Sequence, residues 1–461
     1  MLLGSIFERF VEKSPISVMA RGLIEFAFAP TDLDQLFNRH SEQQYTRELL
    51  FSSVADLMSL VVCGTHSSIR AAYRSSPEHI AVSLTSVYNK LTGIEPSVSA
   101  ELVRHTTQQL EPVLRQLGGT LPDLVAGYRT RILDGNHLAA TEHRLAETRG
   151  DSAAPLPGQA LVVLDPALML IVNVFPCEDG HTQERALLQD VLTTVHERDL
   201  WVADRNFCVQ HFLLGIARQL GCFVIREHQG LRWQAAGKLR SCGRIAGARV
   251  REQRIRIEDP TGRVWYFRRV LLQLDNPTRD GDMELALITN LPPEAADARQ
   301  VGTLYRKRWT IETAFQELTE ALTCEINTLC YPKAALFGFC VALAAYNVLG
   351  VVRGALRATH GVEKIQTEFS SYAMADEIAG VNQGMMIAIP GEAWEVFRHR
   401  TVEELVMVLR MLAGKVRLPR YHKRPSGPKK PPVKRKYNKK KPHVATAQLL
   451  EGRKKKQKQK T

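Results

Sequence analysis

Three residues in the run L-Y-R-K-R-W-T-I-E-T-A-F could do chemistry together: Tyr305, Arg308 and Glu312. Read as one helix, they share a face, because neighbours on a helical face recur every three or four residues. Ile311, Phe315, Leu318 and Leu322 then form an adjacent apolar stripe, so the carboxylate stands at the rim of a core. Far upstream, Asp134 in R-I-L-D-G-N and Asp204 in L-W-V-A-D-R-N-F each follow an apolar, strand-like run. Two strand-end aspartates and a helix glutamate make a donor set for divalent metal in phosphoryl transfer. Hard oxygen ligands suit Mg²⁺, with Mn²⁺ as a substitute. Taken singly, each acid has a plainer meaning: D-G is a turn pair, and surface helices are rich in glutamate.

These residues need elements to hold them. Residues 1–125 read as a helical N-terminal region. Ala29-Pro30-Thr31 with Asp34 looks like a helix start, Leu49 to Cys63 has helical spacing, and Pro112 should kink or split a helix over Ser99 to Leu117. From Tyr128 the pattern alternates. A strand ends at Asp134, a hairpin turns at Asp165-Pro166, and a helix covers Gln183 to Leu192. A short strand ends at Asp204, a helix spans Phe207 to Leu220, and a strand spans Cys222 to Ile225. Strands alternating with helices argue a mixed α/β sheet over residues 126–350. Residues 229–284 alternate charged and apolar positions and read as an antiparallel β insertion. Residues 351–414 are helical, closing with a capping box at Thr401 and Glu404.

Taken together, the order and spacing of these motifs resemble the DDE transposases of bacterial insertion sequences. The likeness is to the subgroup with Y-x-x-R-x-x-x-E at the third acid and a β-rich insertion before it. It runs from about Gly127 to Gly350 and includes D-G-N at Asp134, A-D-R-N-F at Asp204, I-T-N-L at Ile288 to Leu291, and A-Y-N ending at Asn347. The resemblance implies a ribonuclease H-like catalytic domain that brings Asp134, Asp204 and Glu312 together on metal. It implies that Tyr305 and Arg308 hold a DNA phosphate, and that an aromatic of the insertion stacks on a displaced base. Trp233, in a polar setting, is the candidate for that role, whereas Trp265 in V-W-Y-F reads as core. Arg226, at the end of its strand, is placed to face DNA. The implied partners are terminal inverted repeats and target DNA, bound by a homodimer in the cytoplasm at the nucleoid.

Two positions depart from the family pattern. Thr319 stands where a lysine is usual seven residues after the glutamate, and Asn206 stands where glycine is commoner after the second aspartate. The first removes a phosphate-binding cation and opens a second reading, a catalytically decayed DNA-binding protein or repressor.

Composition narrows the rest. The chain has 461 residues and a net charge of +13. From Lys415 onward, 19 Lys and Arg face one acid, Glu451, so the tail carries +18 and the body −5. Residues 415–461, with K-R-K-Y-N-K-K-K and R-K-K-K-Q-K-Q-K, read as a disordered, sequence-blind binder of polyanions. The eight cysteines have no zinc spacing, and His137 and His143 lack partners for a metal site. The uncharged stretch Ala334 to Val352 is long enough to span a bilayer but reads as a buried core helix.

Overall fold

Ten strands join in one sheet among the described residues, and their order sets where the acids emerge. The strands are β1 (Arg129–His137), β2 (Gln159–Asp165), β3 (Leu170–Cys177), β4 (Asp199–Ala203), β5 (Cys222–Arg226), β6 (Gln234–Ala235), β7 (Arg240–Ile245), β8 (Ala248–Glu258), β9 (Val264–Leu274) and β10 (Glu284–Thr289). They run in the order β3-β2-β1-β4-β5-β10-β9-β8-β6, with β7 also paired to β8. β1, β4 and β5 are parallel neighbours, while β2, β3, β10, β9 and β8 pair antiparallel. The insertion is therefore no separate layer, because β8 and β9 extend the sheet through β10. The computed structural model describes residues 3–44, 48–75, 80–138, 145, 156–278, 281–324, 326, 329–423 and 444–458.

The pleat divides the apolar residues between two cores. One sheet face carries Ile132, Val202, Val224 and Leu287 into a large core shared with the helices. The other carries Leu133, Ala203, Trp201, Ile225 and Ile288 into a second core beneath the Leu188–Leu192 and Gln210–Arg218 helices. β2, the run Q-A-L-V-V-L-D, is buried along its whole length, as a strand covered on both faces must be.

The large core is built on the Pro332–His360 helix, which includes the membrane-length apolar stretch and is almost wholly buried in the fold. It packs along the Pro96–Leu117 helix. Pro112 sits inside that helix, which runs unbroken through the expected split. The helix ends at Gly118, whose left-handed backbone (φ 71°) lets Gly118 and Gly119 donate to Arg115 and Leu114 carbonyls. A side chain on Gly119 would come within 2.5 Å of the Gly354 carbonyl oxygen, so these two helices meet backbone to backbone. At the expected Ala29-Pro30-Thr31 start, a helix begins at Pro30 without a side-chain cap. Asp34 instead accepts from the Ser52 backbone and hydroxyl.

Two asparagines in the sequence motifs are structural clamps. Asn347 accepts from Ile171 N (2.7 Å) and donates to Ile171 O (2.8 Å) and Thr107 Oγ1 (3.0 Å), all buried. It ties edge strand β3 to two long helices. Asn290 likewise accepts from Phe223 N (2.8 Å) and donates to Gly221 O (2.9 Å), pinning the end of β10 to the start of β5.

The tail departs from the expected disorder wherever it is described. Leu418–Tyr421 is a 3₁₀ turn with Tyr421 buried. Thr446–Lys458 is a helix, and its entry is held by Leu156 N to Val444 O (3.0 Å) and Thr446 N to Leu156 O (3.1 Å). The reason is local: V-A-T-A-Q-L-L is an apolar island between basic runs, and Ala445 and Thr446 are fully buried. His143 and the K-R-K-Y-N-K-K-K run lie outside the described residues.

Candidate active site

Asp134 and Asp204 emerge side by side. In the parallel pair of β1 and β4, Leu133 sits opposite Ala203, and the aspartates are the next residue on each chain. Asp134 lies within β1, which continues to His137, so D-G-N is strand here and not the turn its composition suggests. Asp204 caps a short 3₁₀ turn, Arg205–Phe207, accepting from Asn206 N at 2.7 Å.

The helical segment with the third acid is two helices, not the one continuous helix expected. Ala298–Arg306 starts with a capping box, Asp297 with Gln300, and ends beside Trp309–Ala321. Between them the backbone tightens to bonds of 3₁₀ type: Lys307 N to Leu304 O (2.8 Å), Arg308 N to Tyr305 O (3.0 Å) and Thr310 N to Lys307 O (2.9 Å). Tyr305 thus ends one helix, Arg308 occupies the junction, and Glu312 falls in the first turn of the next. The junction interrupts the helix yet keeps the three together.

Arg308 bridges two of the acids. Its Nη1 donates to Asp134 Oδ2 at 3.1 Å and its Nη2 to Glu312 Oε1 at 2.5 Å. The arginine is mostly buried, Asp134 is 19% exposed and Glu312 is 52% exposed, so the pair opens to solvent on the Glu312 side. Burial pushes the Asp134 carboxyl up to about 7; Arg308 pulls it down, while the negative charges of Asp204 and Glu312 raise it further. Burial also drives Tyr305 up to about 12, with Asp204 adding to that shift and Arg308 and Arg226 opposing it. These mutual influences place Asp134, Asp204, Glu312, Tyr305, Arg308 and Arg226 in one electrostatic neighbourhood. Among the described residues, no three His, Cys, Asp or Glu side chains are close enough to form a ready metal cluster. A guanidinium, not a gap, lies between Asp134 and Glu312.

Sequence reasoning missed Glu184. Its carboxylate accepts from the Asn206 side-chain amide, while Arg185 Nε donates to Asn206 O at 2.7 Å. A Cβ placed on Gly135 would lie 1.9 Å from Glu184 Oε1. Glycine after the first aspartate therefore makes room for this carboxylate, and asparagine after the second makes a partner for it. The 3₁₀ turn Glu184–Leu187 holds both aspartate segments from the second-core side of the sheet. The D-G-N and D-R-N motifs carried the signal; its meaning needed the fold.

The remaining expected residues fall outside the bridge. Arg226 donates to Asp282 Oδ2 at 2.6 Å. Trp233 is half-buried against the second core, its indole donating to Glu227 Oε1 (2.6 Å) under the Arg269 guanidinium. Trp265 donates to Asp259 Oδ2 (3.2 Å), and Arg263 lies 4.2 Å from its ring centre. Thr319 is exposed, like Glu312 two turns earlier, and its hydroxyl donates to Phe315 O at 2.6 Å.

Residues 126–348, slightly under half of the chain, match the family model described as Transposase DDE domain. That match supports a DDE transposase. The DDE domain so matched spans β1 to β10 and all the residues above, and it ends one residue past the clamp Asn347. No curated protein matches the chain. Among solved structures, a match is a piggyBac transposase synaptic complex with hairpin DNA, at 10% identity, covering 82% of each chain with a TM-score of 0.35.

Proposed function

We propose that this DDE domain cleaves DNA at the ends of a bacterial insertion sequence and transfers the freed strand to target DNA, using Asp134, Asp204 and Glu312. The observation that carries the reading is the Arg308 bridge between Asp134 and Glu312, with Asp204 on the neighbouring strand. Three carboxylates sharing one neighbourhood repel one another, and here a single buried cation offsets that repulsion. The order β3-β2-β1-β4-β5, with the first acid on the central strand, supports a ribonuclease H-like domain.

The donor chemistry fits a hard divalent cation, Mg²⁺ or Mn²⁺, held by Asp134, Asp204 and Glu312. Such a cation would neutralise phosphate charge and activate the attacking oxygen for in-line displacement. The chain's own residues do the positioning. Arg308, which holds Asp134 and Glu312, would offer a two-pronged donor to a DNA phosphate if those acids held the cation instead. Tyr305, buried beside it and kept neutral, buttresses the guanidinium. Arg226, at the end of β5, is paired with Asp282 and would face DNA only on leaving that acid. Because two element ends must meet, the working unit is a homodimer on DNA.

Thr319 supports the second reading, a decayed DNA-binding relative. The two separate in one assay, incubation of the full chain with its own element ends and Mg²⁺ or Mn²⁺. Specific cleavage supports the enzyme; specific binding without cleavage supports the binder.

A further inference from the structure

The β8–β9 hairpin buries opposite faces at its two ends. Near Ala248 and Leu274, the residues Ala248, Val250, Val270 and Leu272 belong to the large core. Toward Glu258 and Val264, the alternation shifts and Ile255, Ile257 and Phe267 enter the second core instead. The strand face that is covered at Val250 therefore emerges uncovered at Arg254 and Tyr266. β7 and the turn after β10 wall this emerging face into a groove of about 720 Å³.

Its chemistry is that of a phosphate site. Lys238, Arg240 and Arg254 line the groove, all exposed, and none pairs with an acid among the described residues. Arg254 lies 4.3 Å from the ring centre of Tyr266, which is 53% exposed, forming a cationic aromatic plate. Arg268 makes the floor, donating to the Leu291 and Ala296 carbonyls (2.8 Å each) and to Glu252 (2.6 Å). Its remaining Nη2 is buried without a partner. The acid in the groove, Glu252, is thus already offset, leaving three uncompensated positive charges on an otherwise mildly acidic body.

We propose that this groove binds the phosphate backbone of DNA at a site separate from the acids. It rests on the reading of the DDE domain as a DNA-processing enzyme and adds where the flanking duplex is held. Across the sheet, the register carries the Asp134 row through Arg226, Leu287 and Val270 to Glu252. Arg254 lies two residues off that row, on the fifth strand beyond β1. At about 4.8 Å per strand the separation is about 24 Å. Duplex DNA, at about 3.4 Å per base pair, covers that in about seven base pairs.

The test compares the full chain with its Lys238→Ala/Arg240→Ala/Arg254→Ala variant on duplexes extending about 20 or about 4 base pairs beyond the cleavage point. On the long duplex the variant should bind about 10-fold more weakly, and its plot of log affinity against log salt should be shallower by about two to three. On the short duplex the two proteins should match. An unchanged salt slope on the long duplex overturns the proposal, as does equal weakening on both lengths. The Lys238→Gln/Arg240→Gln variant, altering two exposed side chains, should show a proportionate slope change with an unaltered melting temperature. A wild type that binds long duplex but never cuts it would defeat the catalytic reading, while the slopes would still decide the groove.

Discussion

The carboxylate of Glu184 occupies the space that any side chain on Gly135 would need. Glu184 also holds Asn206, two residues after Asp204, so one side chain braces the backbone behind two of the three acids. Gly135→Ala should displace the flexible end of Glu184 at small cost in stability but loosen both aspartates. We expect cleavage to fall about 10- to 100-fold, the scale on which misplacement of about 1 Å is felt. Glu184→Ala should do the same, and the double variant should be little worse than either alone. Glu184→Gln, which keeps an acceptor for Asn206, should retain most activity. Single-turnover rates and thermal melts on the four variants check this, and fully additive losses would count against the brace.

Asp134 gives a pH signature. Its carboxyl is raised to about 7 in the fold, chiefly by burial, against 3.8 for the unfolded chain. A carboxyl raised on folding binds a proton as the chain folds. Its favourable contribution is present at low pH and is lost as pH rises through about 7. In chelator-treated protein, Asp134→Asn should therefore raise the melting temperature at pH 8, by several degrees at most. The gain should shrink toward pH 5, where the wild-type group is already protonated. A variant that is less stable than wild type at pH 8 would show that the ionised Asp134–Arg308 pair outweighs the burial penalty.

Asn347 tests the fold apart from the chemistry. Removing its amide strands the Ile171 backbone N–H in the core, at about 1–3 kcal/mol for an unsatisfied group, while the Ile171 carbonyl keeps the Thr107 hydroxyl (2.7 Å). Asn347→Ala should lower the melting temperature clearly, whereas Asn347→Asp should not restore it, because its carboxylate would be a fully buried charge. Calorimetry of the pair checks this without any DNA.

Thr319→Lys restores the cation that the family pattern carries. Thr319 is exposed two turns after Glu312 on the same helix, so a lysine there projects on the acid's side. One charge-assisted phosphate bond contributes about 1.5–3 kcal/mol, or about one to two decades in rate if made mainly in the transition state. Cleavage by the variant should rise accordingly, with little change in melting temperature. An unchanged rate would mean that another cation already serves that phosphate.

The strands and both aspartates were legible because the sheet signals are local. Apolar runs such as R-I-L and L-W-V-A end where the acids begin, and Glu284 to Thr289 coincides with β10. Charge alternation in β8 and β9 was equally plain, but the switch of buried face between Val250 and Ile255 was not, since it depends on which core each end meets. The break between Arg306 and Trp309 escaped notice because the sequence there has no proline or glycine. The tail helix was masked by the basic runs around its apolar island. Glu184 was unreadable for a different reason: its partners are 49 and 22 residues away, and only the strand pairing brings them together.

The most direct measurement is metal-dependent cleavage of the element's own ends by the wild type and by Asp134→Ala, Asp204→Ala and Glu312→Ala. With Mg²⁺ or Mn²⁺ the wild type should nick at the element boundary and join the freed 3′ end to target DNA. Each variant should lose cleavage to background while binding the same ends with comparable affinity. Retention of metal-dependent cleavage by any one of the three would remove that residue from the site. A wild type that binds its ends but cuts nothing with either metal would contradict the enzyme reading outright.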